Sequence, residues 1–228
     1  MAKFYHAVLP PHSVWHGRLR ALWQVQVLGR RKQLAERIRT VTPPLCLNLG
    51  SADSLYDGWI ATDYPVFDIT NPGHWQQLLG TRQARHLLAE HVLEHLTWGQ
   101  VDQVLAAAWQ YLEPGGTFRV AVPDANHPSP AYYDLCKPIH TTGSPTAEQH
   151  DHKNFWDYQS LSRMMRKQGF STEFREWYDS DGHLHTAPLE PERGIIRRSV
   201  QRNYRTPALP DVPYSSLIID AVKPRFER

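Results

Sequence analysis

The chain of 228 residues holds only two cysteines, Cys46 and Cys136. Two isolated thiols offer neither a disulfide framework nor a cysteine metal site. No apolar run approaches the length that crosses a bilayer, so no transmembrane segment is expected. Met1-Ala2-Lys3-Phe4-Tyr5-His6 leads into no signal-peptide core, and a cytoplasmic protein is the expectation. A Gly-x-Gly-x-x-Gly opening a helix is missing, which argues against a nicotinamide dehydrogenase. Internal repeats are missing too. Neither sign of charge dominates, since the net charge is only +2. Its distribution is uneven. Residues 1–40 carry Lys3, Arg18, Arg20, Arg30, Arg31, Lys32, Arg37 and Arg39 against Glu36 alone, which permits an acidic partner for this segment.

What is present suits one globular domain with an extension. A hydrophobic fraction of 41% suffices for a sizeable core. Ser13 can cap a basic helix over 13–39, with Trp15, Leu19, Leu22, Trp23, Leu34 and Ile38 as a rough apolar stripe that covers the body of the domain. Thr42-Pro43-Pro44 ends it, so a helical extension over 1–42 precedes a domain over 43–228. Strands are predicted at 45–49, 59–63, 66–69, 84–91, 117–123, 172–178 and 216–222, and helices at 98–112 and 158–168. Such alternation argues for a largely parallel sheet with helices on its faces. Only Ser51 to Gly58 separate the first two strands, too few for a full crossover helix. Residues 179–215 form a polar excursion with five prolines and Arg193, Arg197, Arg198, Arg202 and Arg205. A connection this long points to a substrate-facing or dimer-forming insertion.

The first strand, Leu45-Cys46-Leu47-Asn48-Leu49, stops abruptly at Gly50-Ser51-Ala52. The second, Trp59-Ile60-Ala61-Thr62, ends in Asp63. A small residue lets a ligand approach the backbone, and a carboxylate can accept hydrogen bonds from ribose hydroxyls. Ala89-Glu90-His91-Val92-Leu93-Glu94-His95-Leu96 and Leu112-Glu113-Pro114-Gly115-Gly116 follow in order, each beside a predicted strand.

This series resembles the class I S-adenosylmethionine-dependent methyltransferases, in particular the short methyltransferase type 11-like group, over residues 45–224. The resemblance implies an α/β fold, a Rossmann-like three-layer sandwich. Its seven-stranded sheet would be mostly parallel, with the last strand antiparallel and inserted between neighbours, and its early connections shortened. It implies S-adenosyl-L-methionine as cofactor, held by Gly50, Ser51, Ala52, Asp63, Tyr64, Asp68, Glu90 and His91. Gly50 would lie against the methionine or ribose, Asp63 on the ribose hydroxyls and Asp68 near the adenine amino group, unless Asp68 merely caps the turn before Asn71-Pro72-Gly73. Glu90 and His91 would border the methionine part, with Glu94 and His95 one turn on. Ala52 stands where the family usually has a second glycine.

Methyl transfer is an in-line displacement that needs placement and, for an oxygen or nitrogen acceptor, a base. Histidine suits that role near neutrality. His127, His140, His150, His152, His183 and His185 are the candidates, with His152 favoured for its place in His150-Asp151-His152 before Asn154-Phe155-Trp156. Asp151 and His127 complete the catalytic set, and Asp124, His185 and Arg197 the substrate set. Guanidinium groups can hold phosphate or carboxylate on an acceptor. A metal is not expected, because no second ligand cluster stands out in the sequence. The acceptor is read as a small molecule, a sugar or glycan intermediate among the options, and a homodimer stays open. Two other readings remain. A nucleic-acid methyltransferase could use the basic helix, although the Asn/Asp-Pro-Pro-Tyr/Phe signature is missing. A non-catalytic partner protein could retain the fold.

Overall fold

The apolar runs line up as seven strands of one sheet in a computed structural model that describes residues 14–52, 54–138 and 152–225. The order is β2-β1-β3-β4-β7-β5-β6. Here β1 is Cys46–Leu49, β2 Ile60–Thr62, β3 Ala84–Glu90 and β4 Leu112–Pro123; β5 is Ser171–Tyr178, β6 Leu184–Thr186 and β7 Ser216–Val222. Strands β2, β1, β3 and β4 are parallel neighbours. β7 runs antiparallel between β4 and β5, as the expected topology requires. The fold is the Rossmann-like α/β arrangement, with β1 at the centre of the early strands.

One predicted strand does not form. Residues 66–69 make turns instead, because the local side chains bind their own backbone. The Asp68 carboxylate accepts from the Thr70 amide (2.9 Å) and hydroxyl (2.7 Å). Asn71 then caps helix α2 (Pro72–Leu79), with Pro72 in its first turn, where a missing N–H costs nothing. Phe67 and Ile69 are still buried, packed against α2, and the Trp75 indole donates to the Ile69 carbonyl at 2.8 Å. The seventh strand is supplied by β6, which pairs antiparallel with β5 at the far edge. Helix α2 also serves as the crossover from β2 to β3.

The two faces of the sheet are built differently. Alternation sends Leu87, Ala89, Phe118, Val120, Leu217 and Ile219 to one face. Helices α3 (Trp98–Tyr111) and α5 (Tyr158–Lys167) cover it, the former entered through a Thr97–Gln100 capping box. The opposite face carries Leu88, Ala121 and Ile218, and it receives Tyr56, Trp59, Leu189 and Ile196 rather than a helix. The first crossover contributes only turns, so the excursion after β6 fills the layer it leaves open.

Arg119 and Asp220 fix that layer. Both are fully buried and joined by two hydrogen bonds of 2.7 and 2.8 Å. Arg119 also donates to the Glu190 and Gly194 carbonyls (2.9 and 2.7 Å), which ties the excursion to the sheet. Gly116, in the turn-like start of β4, is a glycine of necessity. A Cβ there would lie 2.8 and 2.9 Å from the Glu113 and Arg85 carbonyl oxygens.

Helix α1 (Val14–Thr40) meets the domain mainly through its C-terminal part. Ile38 is buried, Leu34 and Ala35 pack beside the core, and Arg31 donates to the Val66 carbonyl at 2.8 Å. Of the expected stripe, Leu34 and Ile38 pack on the domain, Leu22 and Trp23 are exposed, and the side chains of Trp15 and Leu19 lie outside the described residues. Among the described residues no helix is long and apolar enough to cross a membrane. A further helix, α4 (Pro130–Cys136), is capped by Ser129 and follows β4.

Candidate active site

The chain leaves β1 toward β2 on one side and later returns to β3 on the other. That divergence is the switch point at which open α/β sheets hold ligands, outside the carboxyl ends of the strands. Gly50 sits there at φ +62°, and a Cβ would stand 2.7 Å from Val92 Cγ2. Only glycine meets both demands. The Ser51 amide donates to the Thr62 carbonyl at 2.9 Å, which fastens the turn to the end of β2. Ala52 follows at φ +46° and is exposed.

A cleft of about 120 Å³ opens at this point. Asn48, Gly50, Ser51, Ala52 and Ser54 line it from the first turn. Glu90 and His91 line it from the end of β3, and Arg197 and Arg198 from the crossing loop. The expected cofactor residues Gly50, Ser51, Ala52, Glu90 and His91 therefore share one cavity, joined by Arg197 from the substrate set. Asp63, Tyr64 and Asp68 are not among the lining residues; Asp63 follows the Leu49–Thr62 register pair directly, just past the end of β2. It is exposed, and its carboxylate accepts from the Tyr64 amide at 2.8 Å. Tyr64 is itself 72% exposed. Asp68 is engaged with Thr70 as described.

Glu90 and His91 are held firmly. Glu90 Oε1 accepts from the backbone amides of Arg197 (2.9 Å) and Arg198 (2.7 Å), so the excursion loop lies across the cleft. The Arg197 guanidinium approaches Glu90 Oε2 at 3.7 Å. His91 takes φ +56°, a conformation an L-residue holds only when its surroundings require it. Its Nε2 meets Ser216 Oγ at 2.9 Å, while the Ser216 hydroxyl sits 2.6 Å from the Arg198 carbonyl. The one hydroxyl proton goes to that carbonyl, so His91 Nε2–H donates to Ser216. His91 Nδ1 faces Glu94 Oε1 at 3.1 Å. Burial holds the His91 pKa below the ordinary histidine value, against the pull of Glu94.

The catalytic set is dispersed. His152 is buried and its Nδ1 lies 2.7 Å from the Cys136 carbonyl. It belongs to a cluster with Glu94 and His95 behind the cleft wall, reached from the cleft through His91 and Glu94. Asp151, His140 and His150 lie outside the described residues. His127 stacks on Tyr132, with ring centres 3.9 Å apart, away from the cleft. Its Nδ1 accepts from the Ser129 amide at 3.1 Å, its Nε2 faces the Pro213 carbonyl at 3.4 Å, and burial lowers its pKa to about 4. Asp124 is fully buried at the end of β4, accepting from the Asn126 and Tyr178 amides at 2.9 and 2.7 Å. Burial outweighs those amides and pushes its pKa up to about 7. His185 lies on the edge strand β6, stacked on Trp177 and 2.8 Å from Asp179, four strands from β3.

Two lining residues were not singled out from the sequence, Asn48 and Ser54, while Arg198 was named among the arginines of the excursion. Asn48 carried a signal, as a polar residue inside a buried apolar strand; its amide donates to the Ser54 carbonyl at 3.3 Å. A larger cavity of about 510 Å³ opens on α5 against Phe174. Tyr158, Gln159, Ser162, Arg163 and Arg166 complete it, and its lining contains neither histidine nor carboxylate.

No family model matches the chain, and no curated protein sequence matches it. Solved structures do. A SAM-dependent methyltransferase from Archaeoglobus fulgidus is 13% identical, with a TM-score of 0.45 over 90% of this chain and 99% of that one. An O-methyltransferase family protein from Burkholderia thailandensis is 9% identical, with a TM-score of 0.47 over 92% of this chain and 61% of that one. A SAM-dependent methyltransferase from Thermotoga maritima is 12% identical, with a TM-score of 0.44 over 90% of this chain and 95% of that one. Similarity this low assigns no residue a role and names no acceptor.

Proposed function

We propose that the chain is an S-adenosyl-L-methionine-dependent methyltransferase acting on a small-molecule acceptor in the cytoplasm. The observation that carries this reading is the shared cleft of Gly50, Ser51, Ala52, Glu90 and His91 at the switch point. Gly50 lets the donor reach the main chain. Asp63, exposed just past the end of β2, accepts from the two ribose hydroxyls, a charge-assisted pair of bonds. Arg197 and Arg198 line the cleft, and the exposed Arg197 guanidinium can meet the carboxylate of the methionine part or an anionic acceptor. The sulfonium brings its own leaving group, so the protein's share is alignment and exclusion of water. A sugar or glycan intermediate suits the polar rim.

Calorimetric titration of S-adenosylhomocysteine into the full chain tests the reading. Saturable binding at one site per chain is expected, weakened about tenfold or more by Asp63→Ala as hydrogen bonds to a charged group are lost. Absence of saturable heat, with no methyl transferred to any acceptor in a mass-shift screen, overturns it. A second reading, a non-catalytic protein that keeps the fold, draws on the small cleft volume and on the loop amides that already occupy Glu90.

A further inference from the structure

Behind the cleft wall lies a cluster that the methyl-transfer reading leaves unused. Glu94 and His95 sit on the 3₁₀ turn Leu93–His95, and His152 begins the segment that leads into α5. One ligand atom from each lies within 4.8 Å of those of the other two. The segments are already fastened together. The amides of Lys153 and Asn154 donate to the Glu94 carbonyl at 2.7 and 3.2 Å, and the Asn154 side chain donates to the Leu96 carbonyl.

We infer that Glu94, His95 and His152 form a binding site for one divalent transition cation of the zinc class. Three independent features carry this. First, Glu94 is fully buried, and among the described residues neither of its carboxylate oxygens has a hydrogen-bond donor in good geometry. His91 Nδ1 stands 3.1 Å from Oε1, but the His91 proton is on Nε2, so the ring brings Glu94 no donor. A buried carboxylate without donors is costly, and a cation is the ordinary remedy. Second, His95 Nδ1 is also buried without a partner among the described residues. Third, His152 Nδ1 is paired with the Cys136 carbonyl at 2.7 Å, which fixes the ring with its proton there and leaves Nε2 as a lone-pair donor. A backbone carbonyl on the distal nitrogen is how metal-binding imidazoles are oriented.

Two imidazoles and one carboxylate suit zinc or cobalt better than magnesium or calcium, which prefer all-oxygen shells. Three protein ligands leave a fourth position open. Binding draws the groups inward, since tetrahedral zinc ligands stand about 3.4 Å apart. The cation would join the turn after β3 to the segment that leads into α5. The inference does not depend on what occupies the cleft.

Tag-free full chain, stripped with chelator, is titrated with Co²⁺ alone. One equivalent per chain is expected to bind, with visible absorption bands of a low-symmetry site, and Zn²⁺ is expected to bleach them and to raise the melting temperature. His152→Gln and Glu94→Gln should each weaken binding at least tenfold. Asp181→Asn, in the exposed Asp179, Asp181 and His183 group, should leave it unchanged. Should Glu94→Gln not fold, His95→Gln with His152→Gln, checked by circular dichroism, decides in its place. Failure to bind Co²⁺ stoichiometrically overturns the inference. Binding lost in Asp181→Asn instead also overturns it. S-adenosylhomocysteine binding, titrated separately on the stripped protein, shows whether the methyltransferase reading stands or falls on its own.

Discussion

At the scale of single residues, burial rather than partner charge sets the ionisation of His86, His127 and Asp124. Burial lowers His86 and His127 to about 4 each. Both are neutral in the folded chain and protonated at pH 5 when unfolded, so stability is full above about pH 6.5 and falls as pH drops toward 4. Asp124 acts in the opposite sense. Its carboxyl is raised to about 7, so the folded chain keeps a proton that the unfolded chain loses near pH 4, and that contribution fades as pH rises through 7. Two histidines outweigh one aspartate below pH 6.5. Urea unfolding at a series of pH values should give stability that rises from pH 4.5 to about 6.5, then levels or declines slightly. His127→Asn should be less stable overall but show a shallower acid slope; an unchanged slope would mean that His127 is not held neutral. Gly50 offers a second residue-level test. Gly50→Ala should cost about 2–3 kcal/mol, from the positive φ and from Val92 Cγ2 at 2.7 Å. At roughly 2–4 °C per kcal/mol for a chain of this size, the loss is readable in a thermal melt. Val92→Ala in the same chain should recover the steric part but not the backbone part, giving a favourable coupling in a double-mutant cycle.

At the scale of elements, the excursion after β6 is held to the sheet by charge as much as by apolar contact. Asp220 receives Arg119 through two hydrogen bonds and Arg175 at 2.9 Å. Arg119→Ala removes the bidentate partner and frees the carbonyls of Glu190 and Gly194. Breaking a buried pair from one side typically costs about 3–5 kcal/mol, and the lower end is expected here because Arg175 stays. Hydrogen exchange should quicken across residues 188–198 while β1 and β3 stay protected; uniform quickening everywhere would show that the pair stabilises the whole domain rather than this layer. The sequence announced the strands themselves, since runs such as Leu45-Cys46-Leu47 and Ile218-Ile219 can only be buried. It did not announce α2, because Val66 and Phe67 read as a strand until the turn chemistry of Asp68 and Asn71 is weighed. Nor did it show that the excursion fills a missing helical layer. That depends on Arg119 meeting Asp220 across a strand pair, and pairing is a property of register, not of local pattern.

At the scale of the whole molecule, the cleft was legible where strand ends carry the signal and illegible where distant segments meet. Gly50 and Glu90 could be read because each closes an apolar run. The cluster of Glu94, His95 and His152 could not, because its halves lie far apart in the chain and long-range contacts, among them the hydrogen bonds from Lys153 and Asn154, bring them together. The same long-range closure raises the last question, how a nucleoside-sized ligand would enter. The cleft holds about 120 Å³, whereas sites for such ligands usually exceed about 300 Å³. The amides of Arg197 and Arg198 on Glu90 must therefore yield, and a loop that must open first slows association. S-adenosylhomocysteine should bind with an observed rate that levels off at high ligand, the plateau reporting loop opening. Glu90→Gln keeps the shape but removes the charge that strengthens both bonds, so the plateau should rise by about tenfold. Bound ligand should quicken exchange at the Arg197 and Arg198 amides and slow it at Ser51 and Ser54. A rate that climbs linearly with ligand, equal in both proteins, would show that the loop lies across the cleft without guarding it.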